Sequence, residues 1–133
     1  MKIKCNFGLL KNRKVGFINS EGNGFCDILS DVKKVKENYK FVFNDKYIEI
    51  PEITFMKSTI RKENDTILIE PSDKNIISGL HVFTMYDTYG FPMEITKEIM
   101  EEKGIEVDEK GFLLMKKLQK EKTQNTFKNK NAF

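Results

Sequence analysis

The sequence predicts a small α+β fold, in which an antiparallel β-sheet or partial barrel precedes a C-terminal pair of helices. Turn-forming residues divide residues 1–75 into short runs that read as strands and hairpins. Residues 76–123 instead carry apolar side chains at helical spacing, with proline and glycine near the predicted helix ends. The chain has 133 residues, of which 39% are hydrophobic, so it can bury a core without disulfides or metals.

Two hairpins are predicted in the N-terminal part. Residues 39–43 and 47–50 flank an Asn-Asp turn, and residues 53–60 and 66–69 flank a longer polar loop. Residues 25–35 fit a strand and a helix equally well. The apolar positions that suit both periods are Ile28, Leu29, Val32 and Val35.

The first predicted helix covers residues 92–102. It begins with a proline, which suits the first helical turn, and Gly104 suits the position just after its end. Ile95 and Ile99 are four residues apart and form its apolar pair, while the glutamates between and around them are expected to face water.

Asp108 is a suitable N-cap for a second helix, which is expected to run to about residue 123. The apolar stripe of this helix is formed by Phe112, Met115 and Leu118. Residues 124–133 are polar and basic, and we expect them to form a mobile tail. The predicted organisation is therefore a β-rich unit over 1–75, a helical segment over 76–123 and the tail.

The sequence offers few groups for catalysis. The single histidine is His81, and nothing in the sequence places it beside either cysteine, Cys5 or Cys26. Phosphate-binding loops and the spacings of metal ligands are absent from the sequence. We therefore predict that the chain is not an enzyme and holds no metal or cofactor. Because it also lacks an apolar run of membrane-spanning length, we predict a cytoplasmic protein without a membrane partner.

One part of the chain carries a specific pattern of motifs. Its successive motifs are Tyr-Asp-Thr-Tyr-Gly-Phe-Pro at 86–92, Glu-Glu-Lys-Gly at 101–104, Val-Asp-Glu at 107–109, Gly-Phe at 111–112 and Gln-Lys-Glu-Lys at 119–122. In order and spacing, residues 76–122 resemble the tRNA-recognition region of bacterial-type alanyl-tRNA synthetase. Residues 1–75 are not assigned to any part of that enzyme.

The resemblance implies contact with tRNA rather than catalysis, because the motifs that bind ATP and alanine and the editing residues are missing. Asp108 matches the acidic position through which the family reads a G·U wobble pair, and a carboxylate can accept from a guanine amino group. The same carboxylate is also the predicted N-cap of the second helix. The motif residues are expected to pack the helices together, although their rings could also stack on bases; they are Tyr86, Asp87, Tyr89, Gly90, Phe91, Pro92 and Phe112.

The basic end of the chain independently favours RNA. Residues 116–130 contain six lysines and one glutamate. Such a strip contacts phosphates without reading sequence, and its binding weakens with salt. The predicted RNA-binding lysines are Lys116, Lys117, Lys120 and Lys122.

The leading hypothesis is a non-catalytic protein that binds tRNA or another structured RNA. An alternative from a different class is a phage or mobile-element protein that inhibits a host nucleoprotein, for example an RNA-guided defence nuclease. Leu113 and Leu114 favour this alternative, because they widen the apolar face of the second helix where the family is usually acidic or alanine. A decayed gene fragment is a third possibility, and the sequence leaves the oligomeric state open.

Overall fold

A computed structural model describes the backbone of residues 5–18 and 24–131, with side chains as far as Lys122. Strands fill most of the chain up to residue 71, and helices fill most of the rest. The elements are β1 (Lys14–Ile18), β2 (Gly24–Ile28), β3 (Asp31–Val35), β4 (Asn38–Val42), β5 (Tyr47–Pro51), α1 (Glu52–Met56), β6 (Ser58–Glu63), β7 (Thr66–Pro71), β8 (Ile76–Ile77), α2 (Gly79–Tyr89), α3 (Met93–Glu102), β9 (Glu106–Val107) and α4 (Glu109–Asn131).

The strands form separate sheets that do not close into a barrel. One has the order β2-β1-β7-β6, in which β1 pairs with β7 in parallel and the other pairs are antiparallel. A second, antiparallel sheet has the order β3-β4-β5, and β8 and β9 form a short parallel pair. The predicted α+β class is confirmed, and so are both hairpins, β4–β5 and β6–β7. Residues 25–35 fall into two strands rather than a helix.

The strand predicted over residues 53–60 is wrong in its first half, where the chain forms the short helix α1. Pro51 ends β5 and is the N-cap of this helix. The helical turn buries the Phe55 ring, whose centroid lies 5.3 Å from that of Phe7 and 5.6 Å from that of Tyr39. An alternating apolar pattern cannot reveal this arrangement, because the aromatic contacts come from distant parts of the chain.

Sequence reasoning also missed the helix α2. Its N-cap is Ser78, whose hydroxyl oxygen accepts a hydrogen bond from the backbone N–H of Leu80 at 3.3 Å. Gly90 ends it in the left-handed conformation, with φ of 75°. Both signals were present in the sequence. The C-terminal part therefore contains three helices instead of two, and the last of them, α4, continues to Asn131, past the predicted end near residue 123.

A single apolar cluster joins the strands to the helices. It includes Phe41, Phe55 and Ile67 from the first half of the chain and Leu80 and Leu118 from the second. Helix α4 lies against both α2 and β6. The division into units at residue 75 stays a prediction, but the residues on its two sides share one core. Among the described residues, none of the helices has the length and hydropathy needed to cross a membrane.

Candidate nucleic-acid interface

The Asp108 carboxylate lies where three elements meet. Its Oδ1 accepts a hydrogen bond from the backbone N–H of Gly111 at 3.1 Å, which is the N-cap interaction that the sequence predicts for α4. Its Oδ2 accepts from the backbone N–H of Ile60 in β6 and of Gly79 in α2, both at 3.0 Å. The side chain therefore caps one helix and ties the starts of two helices to the sheet.

This arrangement limits what else Asp108 can do. The residue is only 6% exposed, and both carboxylate oxygens already accept backbone hydrogen bonds. A base could reach it only if the helices moved apart. The predicted contact of Asp108 with a wobble pair stays a prediction.

Helices α2 and α4 run side by side in the same direction. A Cβ atom built on Gly79 would lie 2.3 Å from the backbone nitrogen of Phe112, so the two backbones touch at their N-terminal ends. Further along, the Tyr86 and Phe112 rings meet edge to face at 5.5 Å, and the Lys116 ammonium lies 5.2 Å from the Tyr86 ring centroid. The side-chain amide of Gln119 donates to Asp87 at 2.8 Å.

Two motif residues at the C-terminal end of α2 therefore contact α4 directly. Tyr86 lies beside Lys116, and Asp87 accepts the hydrogen bond from Gln119. The motif run thus borders the exposed face of α4 at Lys116.

The motif residues divide into a packed set and an exposed set. Phe112 is buried, whereas Pro92, the N-cap of α3, is exposed. The three other aromatic members are partly open to solvent: Tyr86 is 37% exposed, Tyr89 41% and Phe91 40%. Of these aromatic residues, Phe112 is thus packed in the core, while the side chains of Tyr86, Tyr89 and Phe91 remain accessible to solvent.

Three of the four predicted lysines share the outer face of α4. Lys116, Lys117 and Lys120 are exposed and lie within about 100° of one another around the helix, on the side away from the buried stripe. No ion pair with these three ammonium groups occurs within the described part of the chain. Lys122 is also exposed, but it follows Leu118 by four residues and therefore points to the other side of the helix.

A pair that the sequence did not predict lies in the interior. The Cys5 Sγ atom is 3.3 Å from Nδ1 of His81, although 76 residues separate them in the chain. Burial raises the pKa of the Cys5 thiol to about 12 and lowers the pKa of His81 below its ordinary value. At neutral pH both groups are therefore uncharged, and a protonated, buried thiol is a poor nucleophile.

Comparison with known proteins decides the family. The sequence pattern of the tRNA synthetases class II (A) matches residues 16–133 of this chain. The chain belongs to this family. The match confirms the resemblance to alanyl-tRNA synthetase and extends it far into the N-terminal half, which the sequence analysis had left unassigned. The sequence analysis did not recognise that relationship, because residues 16–75 contain no motif comparable to the Tyr-Asp-Thr-Tyr-Gly-Phe-Pro run.

Individual relatives agree with this assignment. The chain is 40% identical over 107 residues to the alanine–tRNA ligase of Prochlorococcus marinus strain AS9601, a match that covers 80% of this chain. It is 46% identical over 80 residues to that of strain MIT 9515, covering 58% of this chain and 9% of that relative. It is 35% identical over 107 residues to that of Streptococcus gordonii, covering 73% of this chain and 12% of that relative. No solved structure matches the chain.

The chain spans about a ninth of the length of the synthetases that it matches, since the first of these alignments covers 11% of the relative. It therefore shares one part of those enzymes. In this family member that part contains the motif run, the Asp108 junction and the exposed lysines of α4.

Proposed function

We propose that this protein is a non-catalytic member of the synthetase family that binds tRNA or another structured RNA through the outer face of α4. The observation that carries the proposal is the set of exposed lysines Lys116, Lys117 and Lys120, which have no carboxylate partner among the described residues. Ammonium groups that are not neutralised within the protein are free to replace the counterions of RNA phosphates.

The neighbouring aromatic side chains support the same surface. The Tyr86 ring lies under the Lys116 ammonium, and this cation–π contact holds the lysine at the α2–α4 boundary. Tyr89 leaves about two fifths of its surface exposed at the end of α2. Exposed rings beside lysines suit an RNA in which bases as well as phosphates are accessible.

Support for the absence of catalysis comes from the length of the match and from the buried cysteine–histidine pair. The chain shares about a ninth of the relatives' length. Its one histidine is buried and uncharged beside a protonated thiol. We expect no alanine-dependent exchange between ATP and pyrophosphate. An exchange activity that copurifies with the protein through chromatography would contradict the absence of catalysis.

The experiment for RNA binding is a titration of labelled alanine tRNA at several salt concentrations. Three phosphate contacts predict that the logarithm of the association constant falls with the logarithm of salt concentration, with a slope of about −2 to −3. Replacing Lys116, Lys117 and Lys120 together with glutamate should weaken binding at least tenfold in low salt.

A matched variant separates a specific surface from a general charge effect. The triple replacement of Lys14, Lys33 and Lys46 by glutamate changes the net charge equally, and all three lysines are exposed on β1, on β3 and before β5, strands that make no extensive contact with α4. It should weaken binding less than threefold. The proposal fails if the wild-type protein does not bind tRNA in low salt, or if both triple variants lose the same affinity.

The hypothesis that the protein inhibits a host nucleoprotein receives no support from the comparisons, which match synthetases. Leu113, one of the two residues that favoured it, lies on the same exposed face as the lysines, and Leu114 is partly buried against the core. We therefore do not develop that hypothesis.

A further inference from the structure

We infer that the exposed apolar face of α3, formed by Ile95 and Ile99 and bordered by Glu98 and Glu102, is a docking surface for a basic amphipathic helix of another protein. This inference is independent of RNA binding, because α3 carries none of the lysines on which that proposal rests.

The inference starts from the way in which α3 packs. Ile95 and Ile99, the apolar pair predicted for this helix, are 49% and 45% exposed, whereas Thr96 is only 2% exposed. The helix therefore turns a threonine inwards and two isoleucines outwards. Met93 and Met100, rather than the isoleucines, accompany Thr96 against the apolar cluster.

The two isoleucines form a short, continuous stripe. They are separated by one helical turn, so their side chains lie one above the other on the same face. Phe91, four residues before Ile95 and just outside the helix, is also exposed. Isolated apolar residues on a surface need no explanation, but an aligned set on an amphipathic helix is typical of an interaction site.

Charge decides which partner fits. Glu98 and Glu102 follow Ile95 and Ile99 by three residues each, so every isoleucine has a glutamate beside it on the helix surface. Neither glutamate forms an ion pair within the described residues, and the one lysine of α3, Lys97, bonds Glu109 of α4 at 2.8 Å. Lys103, four residues after Ile99, is also exposed beside the stripe but forms no ion pair with either glutamate, so the two glutamates leave the border net acidic. An apolar stripe with a net acidic border is complementary to an apolar stripe with lysines or arginines beside it.

The same charge argues against other occupants. RNA phosphates would be repelled by the glutamates. A second copy of this chain, paired through the same face, would bring its own Glu98 and Glu102 towards ours, and like charges across an interface disfavour association. A helix with basic residues along the border of its apolar face would pack that face on the isoleucines and place its positive charges beside the glutamates, so neither repulsion arises.

The test uses an 18-residue amphipathic peptide of leucine and lysine, labelled at one end, and a matched peptide in which glutamate replaces every lysine. Binding to the full chain is followed by fluorescence anisotropy at 0.15 M and 0.5 M salt. We expect the lysine peptide to bind saturably with one-to-one stoichiometry and at least tenfold more tightly than the glutamate peptide. Part of that binding should persist at 0.5 M salt, because the apolar contact is not screened.

Variants of the α3 residues test whether the lysine peptide binds at this face. Ile95→Ser with Ile99→Ser should reduce affinity for the lysine peptide at least tenfold. Glu98→Gln with Glu102→Gln should reduce it severalfold at 0.15 M salt and little at 0.5 M. Ile53→Ser is the matched control, since Ile53 is 68% exposed on α1, and it should leave affinity unchanged.

Three results would overturn the inference. The first is equal binding by the wild type and the Ile95/Ile99 variant, which would mean that charge alone attracts the peptide. The second is an equal loss of affinity in the Ile53 variant. The third is a dimer in sedimentation equilibrium that dissociates when Ile95 and Ile99 are replaced, which would identify a second copy as the occupant.

Discussion

Replacing Asp108 with alanine removes the acceptor for three backbone N–H groups in a site that is only 6% exposed. A hydrogen bond to a charged group contributes about 1.5–3 kcal/mol, and donors left buried without an acceptor are destabilising. Because the three losses are not additive, we expect the free energy of unfolding to fall by roughly 3–5 kcal/mol. That is a large part of the 5–15 kcal/mol that is usual for a domain, so Asp108→Ala should be close to unfolding at room temperature.

The assay is urea unfolding followed by far-ultraviolet circular dichroism. Asp108→Asn keeps the size and shape of the side chain. In either orientation of the amide, however, its NH₂ group faces at least one backbone N–H that needs an acceptor. We therefore expect the free energy of unfolding to fall by less than in Asp108→Ala, by about 1.5–3 kcal/mol. Asp87→Ala is the control, because that carboxylate accepts one exposed hydrogen bond, and it should change stability by less than about 1 kcal/mol.

A loss below about 1 kcal/mol in Asp108→Ala, with an unchanged urea dependence, would refute this reasoning. The same variants also test the predicted contact between Asp108 and a wobble pair. If Asp108→Asn keeps the wild-type stability but binds tRNA at least tenfold more weakly, the carboxylate serves RNA instead of the fold. We expect the reverse: lower stability, and tRNA binding within twofold of the wild type while the protein is folded.

Three further predictions concern packing and pH. Gly79→Ala should destabilise the protein by about 2 kcal/mol or more, because its Cβ would lie 2.3 Å from the backbone of α4; Gly90→Ala has open space and should lose about 1 kcal/mol from its positive φ alone, and urea unfolding measures both. Leu118→Ala should lose about 2–5 kcal/mol in that assay, against less than about 0.5 kcal/mol for exposed Leu113→Ala. Burial raises the pKa of the Cys5 thiol from 9.0 to about 12 in the folded state, so the unfolded chain releases this proton first as pH rises. This thiol alone should therefore lower the free energy of unfolding above pH 9, by up to about 1.4 kcal/mol per pH unit, so the fall should be less steep in Cys5→Ser; equal slopes would contradict this assignment.

Local signals predicted what local interactions determine. The Asn-Asp turn and the polar loop before Thr66 predicted both hairpins, because turn residues and alternating apolar positions fix strand pairing over a few residues. Asp108 was predicted as an N-cap for the same reason, since the cap joins it to Gly111 only three residues away. Lys116, Lys117 and Lys120 lie on the side of α4 away from its apolar stripe, because the positions of that stripe fix which side of the helix faces water.

Contacts between residues far apart in the sequence determined the features that were not predicted. Periodicity predicted the apolar pair of α3 but not which face of the helix packs against the core. In the structure Thr96 is buried and Ile95 is exposed. Sequence distance likewise hid the meeting of Cys5 with His81.

By itself, the sequence determined the α+β class and the capping residue of α4, which depend on residue order over short spans, and its motif run indicated the synthetase family. Only the tertiary structure decided that the Asp108 carboxylate also holds β6 and α2, that Tyr86 of the motif lies beside Lys116 and that α3 presents its isoleucines to solvent. These features depend on which surfaces meet when one core excludes water, and that outcome is a property of the whole chain rather than of any segment.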